Sequence, residues 1–378
     1  MLITDPSEAY FSPNYVLAQD RFQEAAQRAG GRLTALQLDA KGPSGQGHWA
    51  LSNPQKLQIN TSRLTIDIAW FGAEKPRRVL VHSSGLHGVE AFAGSAIQLQ
   101  QLEDGIPPIP EDSALVLVHV LNPFGMAWLR RFNENSVDLN RNFLGPGETY
   151  NDAPEGYDRL DSWLNPPSPP ARDLYYLRAL WLIARHGMST LKQVVAGGQF
   201  DYPKGLFFGG EKLEEGPRKV EEFVRERLAS AEHIVVIDVH TGLGPFAYDT
   251  LLVHAGDEGS KIYQVMKRAF GERVASLDPD SGPAYRVKGA YDTMYPRVLP
   301  GREVYFLTQE FGTYHAMRVL RALRAENRWH HYGDGTVDHP TKRELEEKFS
   351  PADEVWRQTV LRRGCEVIGQ ALTLAVGN

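Results

Sequence analysis

Cysteine occurs once, as Cys365, so this chain of 378 residues can form no internal disulfide and no cysteine-based metal cluster. Long apolar runs are missing as well. Nowhere do about 18 apolar residues follow one another, so no segment is suited to cross a membrane as a helix. Positive charge is not in excess either: 41 basic against 47 acidic side chains give a formal charge of -6. That balance offers no electrostatic reason to expect nucleic acid or an anionic membrane as partner. The opening residues MLITDPSEAY hold no basic stretch followed by an apolar one, and internal repeats and long low-complexity segments are lacking. Together these absences lead to the expectation of an unanchored cytoplasmic protein in a reducing compartment.

The chain is 42% hydrophobic, enough for a large core, and residues 1–378 are expected to form one domain with an N-terminal helix and a C-terminal helical extension. Residues 14–29 place Ala18, Phe22, Ala25 and Ala29 on one helical face before the Gly30-Gly31 stop. RLTIDIAWFG alternates apolar and polar residues, and AEKP turns it into RRVLVHSS, which reads as a strand pair. Three further segments, Ala114–Leu121, His233–Val239 and Val304–Thr308, are nearly continuous apolar runs of the kind buried on both faces. Helical patterns fill Ala91 to about Leu102 and residues 172–187, 216–231, 258–270 and 314–329. This alternation predicts an α/β fold of three layers, with helices on both faces of a mixed, mostly parallel twisted sheet. At the C-terminus, Ser350 and Pro351 suit the start of a helix whose contacts come from Trp356, Val360, Val367 and Leu374.

The strand VLVHSS delivers the tetrapeptide HGVE at positions 87–90. His and Glu three apart can meet on one cation where a turn leads into a helix. With 12 histidines, about 0.7 such pairs are expected by chance, so the spacing alone decides nothing. Its context carries more: a Gly-rich loop after a buried strand is where open α/β sheets bind ligands. A catalytic zinc needs a third ligand and an open position for water. His82, His119, His240 and His254 all stand at strand ends. His240 stands out because HIVVIDVHTGLG repeats the order of apolar strand, histidine and Gly-rich loop, although a packed core histidine would look the same. Between the two sites, NPFGMAWLRRFNENSVDLNRNF gathers Arg130, Arg131, Asn133, Asp138, Asn140 and Arg141. Such a run is either a solvated loop or a carboxylate pocket, since guanidinium forks match carboxylate oxygens in pairs.

HGVE, this arginine and asparagine cluster, the histidine before Thr-Gly and a strand ending in Glu resemble, in that order, the zinc carboxypeptidases of the carboxypeptidase A superfamily. The resemblance spans about Gly85 to Tyr314, and GGQFDYPKGLFFGG and QEFGTYHAMRV are similar to a bacterial branch known mainly as a domain of unknown function. It implies a zinc carboxypeptidase-like fold and one zinc ion on His87, Glu90 and His240, with Asp138 supporting a ligand histidine. Glu310 is implied as general acid/base toward a zinc-activated water, and Arg131 as the oxyanion donor, a place Arg130 could also fill. Asn140 and Arg141 match the pair that grips a terminal carboxylate, and Tyr291 and Tyr295 are candidates for a tyrosine near the scissile bond. The implied substrate is a small peptide or an acyl amino acid, so the expectations are a metallocarboxypeptidase or an N-acyl amino acid amidohydrolase. A silent carboxylate-binding module is a third reading, which the presence of Glu310 disfavours.

Overall fold

The apolar runs lie side by side in one sheet. The computed structural model describes residues 6–41, 64–253, 259–277 and 287–377. Its eight strands are β1 (Arg32–Gln37), β2 (Thr65–Gly72), β3 (Arg78–Ser84), β4 (Ser113–His119), β5 (His233–Gly242), β6 (Asp249–Val253), β7 (Val274–Ser276) and β8 (Glu303–Gly312). They are ordered β1-β2-β4-β3-β5-β8-β6-β7. β4, β3, β5 and β8 form a parallel block, and β6 and β7 are also parallel. The β1–β2, β2–β4 and β6–β8 pairs are antiparallel. This is the expected mixed, mostly parallel sheet.

Side chains alternating across the block feed two apolar layers. On one face, Leu80, Leu117, Val235 and Leu307 pack with helices Tyr15–Arg28, Ala91–Asp104, Lys261–Phe270 and Glu354–Val376. On the other, Val81, Val116, Ile234 and Val236 pack with helices Glu215–Arg227 and Met294–Val298. A third cluster, including Val89, Phe132, Phe207, Leu345 and Phe349, is built from helices Tyr157–Leu164, Tyr175–His186, Met188–Ala196, Ala316–Tyr332 and Pro340–Phe349.

Two expectations are corrected. β2 and β3 do not pair with each other, because β4 lies between them. The AEKPR link passes the start of β4, where the Ala73 and Arg77 amides bond to the Ser113 and Asp112 carbonyls. An apolar strand such as β4 needs a partner on each edge, and a closed β2–β3 hairpin would leave one edge bare. The last helix also starts later than Ser350. Asp353 caps it by accepting from the Trp356 amide, while Ser350 ends the preceding helix. No helix among the described residues is long and apolar enough to cross a membrane.

Candidate metal centre

The four parallel strands β4, β3, β5 and β8 bring their C-terminal ends to one edge of the sheet, and each delivers part of the centre. β3 runs into the His87–Glu90 turn, β4 into the Asn122–Arg141 segment, β5 ends near His240 and β8 near Glu310. His240 and Glu310 are direct partners across the parallel β5–β8 pair. Their side chains therefore leave the same face from strands about 4.8 Å apart.

Close backbone approach shapes the first turn. A Cβ on Gly88 would lie 2.0 Å from the Gly125 carbonyl carbon, so only glycine lets the turn seat against helix Pro123–Ala127. The Gly88 and Val89 amides donate to the Arg131 and Arg130 carbonyls, fixing the turn to the arginine segment. The Glu90 side chain then lies between the two histidines. His87 Nδ1 is 2.9 Å from Oε1 and His240 Nδ1 is 3.4 Å from Oε2. The Thr241 amide donates to Oε2.

Three donor atoms, one each from His87, Glu90 and His240, lie within 4.8 Å of one another, and all three residues are buried. His87 Nδ1 makes no aligned hydrogen bond. Both imidazoles turn Nε2 away from Glu90 and toward an aspartate: His87 to Asp138 Oδ1 at 3.0 Å and His240 to Asp238 Oδ2 at 2.6 Å. A carboxylate on the far nitrogen keeps the proton there and leaves Nδ1 as the basic atom, as a ligand histidine requires. Arg131 Nη2, 2.7 Å from His87 Nε2, suits the other tautomer of that ring. Two imidazoles and one carboxylate, oriented in this way, can hold a divalent cation, and the set fits zinc chemistry.

The charges around this centre depend on one another. Burial alone would raise the Glu90 pKa, but His87, His240 and Arg131 hold it below the usual carboxylate range. Asp138 is likewise kept well below its ordinary value, against burial, by Arg131, His87 and Arg141. For His240, burial disfavours the cation, yet Asp238 and Glu90 raise its pKa well above the ordinary value. Glu310 behaves differently. Burial, with Glu90 adding repulsion, pushes it up to about 7 even though His240, the Leu243 amide and Arg131 act in the opposite sense. Its Oε1 accepts that amide at 2.9 Å.

The remaining residues proposed from the sequence divide into two groups. Arg131 lies at the centre, donating to Glu90 Oε1 at 2.8 Å and Asp138 Oδ2 at 3.0 Å. Asn140 and Arg141 follow in a 3-10 turn capped by Asp138. Asn140 Oδ1 accepts from the Tyr291 amide, and Arg141 donates to the Asn140 and Ala196 carbonyls. Arg130 turns the other way, onto Glu326 at 2.9 Å, Ser136 and Asn327, and does not face the metal ligands as Arg131 does. Tyr291 and Tyr295 lie in the apolar layer with Phe143 and Met294. Both are buried, share a 3.1 Å hydrogen bond and pack on Phe306 in the core.

Among the other histidines, His82 bonds Gln98, and His119 stacks on Phe22 and bonds Ser95. Burial lowers their pKa values to about 4 and about 3. His254 lies outside the described residues. Sequence reasoning missed Asp238, although the pattern D-V-H on a strand puts Asp238 and His240 on one face two residues apart.

A family signature described as "Protein of unknown function (DUF2817)" matches residues 11–363. No curated protein matches the sequence. Among solved structures, carboxypeptidase A from Helicoverpa armigera is similar at a TM-score of 0.45 and 13% identity, over 90% of this chain and 73% of that one. Bovine thrombin-activatable fibrinolysis inhibitor, in complex with tick carboxypeptidase inhibitor, is similar at 0.43 and 10%, over 95% and 99%. The murein-tripeptide amidase of Escherichia coli O157 follows at 0.36 and 16%, over 71% and 88%. Likeness at this level assigns no role to any residue of this chain.

Proposed function

The chain belongs to the DUF2817 family of proteins of unknown function, and within it we propose a zinc-dependent hydrolase that cleaves an amide or peptide bond next to a free carboxylate. The observation that carries this reading is the convergence of His87, Glu90 and His240, each imidazole backed by an aspartate, beside a Glu310 whose pKa is pushed up to about 7.

His87, Glu90 and His240 would hold the ion. Zinc, when bound, supplies Lewis acidity toward a water and toward the scissile carbonyl. Glu310, with a pKa near neutrality, is suited to take a proton from the attacking water and return it to the leaving nitrogen as the C–N bond breaks. Arg131 offers N–H donors for the charge that develops on the carbonyl oxygen. Asn140 and Arg141 orient the substrate through its carboxylate. Water adds across the amide, giving a carboxylic acid and an amine, so no further reactant is required.

Zinc-loaded protein incubated with dipeptides, longer peptides and N-acyl amino acids provides the test. Release of a C-terminal residue from peptides is expected, and cleavage of acyl amino acids alone would replace the carboxypeptidase reading with the amidohydrolase one. Glu310→Gln should bind zinc as before and lose on the order of 10³-fold in kcat. Undiminished turnover in that variant would remove Glu310 from the reaction.

A further inference from the structure

The segment GGQFDYPKGLFFGG has no part in the chemistry above, yet it reaches the centre. It leaves helix Met188–Ala196 and closes on itself through Gln199, whose amide donates to the Phe207 carbonyl while its carbonyl accepts from the Gly209 amide. The Gln199 side chain takes the Asp201 and Tyr202 amides and donates to the Tyr202 and Leu206 carbonyls. Leu206 is fixed from outside by Asn165 and Tyr157. The Phe208 carbonyl accepts from the Asp138 amide at 2.7 Å, joining the loop to the residue that supports His87.

Between these anchors Phe207 has φ 60, the left-handed region that a bulky side chain rarely enters without cause. Its nearly buried ring lies under two guanidiniums, 5.4 Å from the Arg131 Cζ and 6.0 Å from the Arg141 Cζ. Gly198 in the same loop completes the arrangement, since a Cβ there would lie 2.6 Å from Arg141 Cδ. Arg131 is already fixed by Asp138 and Glu90, and the shared aromatic ring adds a cation–π contact to each guanidinium.

We propose that Phe207 is a positioning residue for substrate carboxylate recognition, holding Arg141 where a carboxylated substrate needs it, while Arg131 is fixed independently by Glu90 and Asp138. The inference rests on the function proposed above and adds to it a loop whose strained backbone serves specificity rather than catalysis.

Phe207→Leu tests it, because leucine keeps bulk and left-handed strain but removes the aromatic face. In zinc-loaded protein, KM for a peptide with a free carboxylate should rise about tenfold, with kcat within about twofold. The same peptide amidated at its C-terminus should show no change, and Phe207→Tyr should restore KM. Succinate binding to zinc-free protein, measured by calorimetry, should weaken in Phe207→Leu and in Arg141→Gln. Phe207→Gly should melt above Phe207→Ala, since glycine fits the left-handed backbone. If Phe207→Leu lowers the melting temperature but leaves KM and succinate affinity unchanged, the ring is packing alone and the proposal falls. If succinate binding depends on Phe207 while no substrate is cleaved, the proposed hydrolase fails and the positioning role stands. A wild-type protein that neither binds succinate nor cleaves any substrate overturns both.

Discussion

Arg130 and Arg131 are adjacent in the chain and end in two buried charge clusters of opposite construction. Arg130 enters a closed triad in which one oxygen of Glu326 meets Arg130 Nε at 2.9 Å and Lys342 Nζ at 2.5 Å, all three side chains being fully buried. Ser136 and Asn327 accept the remaining Arg130 contacts. Burial lowers Lys342 to about 8, against the attraction of Glu326. Arg131 enters a cluster where carboxylates predominate and two imidazole Nδ1 atoms face Glu90. The first cluster sets two cations on one carboxylate oxygen and joins helices Ala316–Tyr332 and Pro340–Phe349 to the arginine segment. The second gathers basic donor atoms around a place suited to a cation. Buried charge alone therefore does not identify a functional site; the direction in which the donor atoms face does.

Breaking the closed cluster should give the largest change. Glu326→Gln leaves two buried cations without their carboxylate and should cost about 3–5 kcal/mol of stability, with zinc bound per folded molecule unchanged. Denaturant unfolding and metal analysis check this together; a loss below about 1 kcal/mol would mean that the triad is not structural.

The open cluster should respond to pH instead. A carboxyl whose folded pKa is raised stabilises the protein while protonated, and that contribution is lost as pH rises from the unfolded value through about 7. Zinc-free wild type should thus lose on the order of 3 kcal/mol relative to Glu310→Gln between about pH 4.5 and pH 7.5. Parallel stability curves for the two proteins would show that Glu310 is not held in this way.

The smallest effect sharpens the contrast. Asp238→Asn should weaken zinc binding by about 10- to 100-fold by loosening the His240 ring, with little change in melting temperature of the zinc-free protein. Zinc affinity equal to wild type would leave Asp138 as the carboxylate that matters.

Much of this was legible in the chain because it depends on local pattern. The apolar runs that became β3, β4, β5 and β8, the helix Tyr15–Arg28 and the Gly-rich turns at the strand ends all follow from periodicity and turn chemistry within a few residues. The pairing of β4 between β2 and β3 was not legible, since pairing is chosen by edges that meet only in the sheet. The same holds for Phe207, whose left-handed backbone is imposed by Gln199, Asn165 and Tyr157 from elsewhere in the chain.

By itself the sequence determined the residue types at the centre, two histidines, a glutamate pair and a run of arginines and asparagines, and the strand ends at which they sit. Only the tertiary structure decided that Arg131 rather than Arg130 faces Glu90, that Asp238 backs His240, and that Tyr291 and Tyr295 belong to the core. The reason is physical. Side-chain chemistry is local to a residue, whereas burial, partner and direction are set by segments more than a hundred residues apart, as between Glu90 and Thr241 or Arg130 and Glu326.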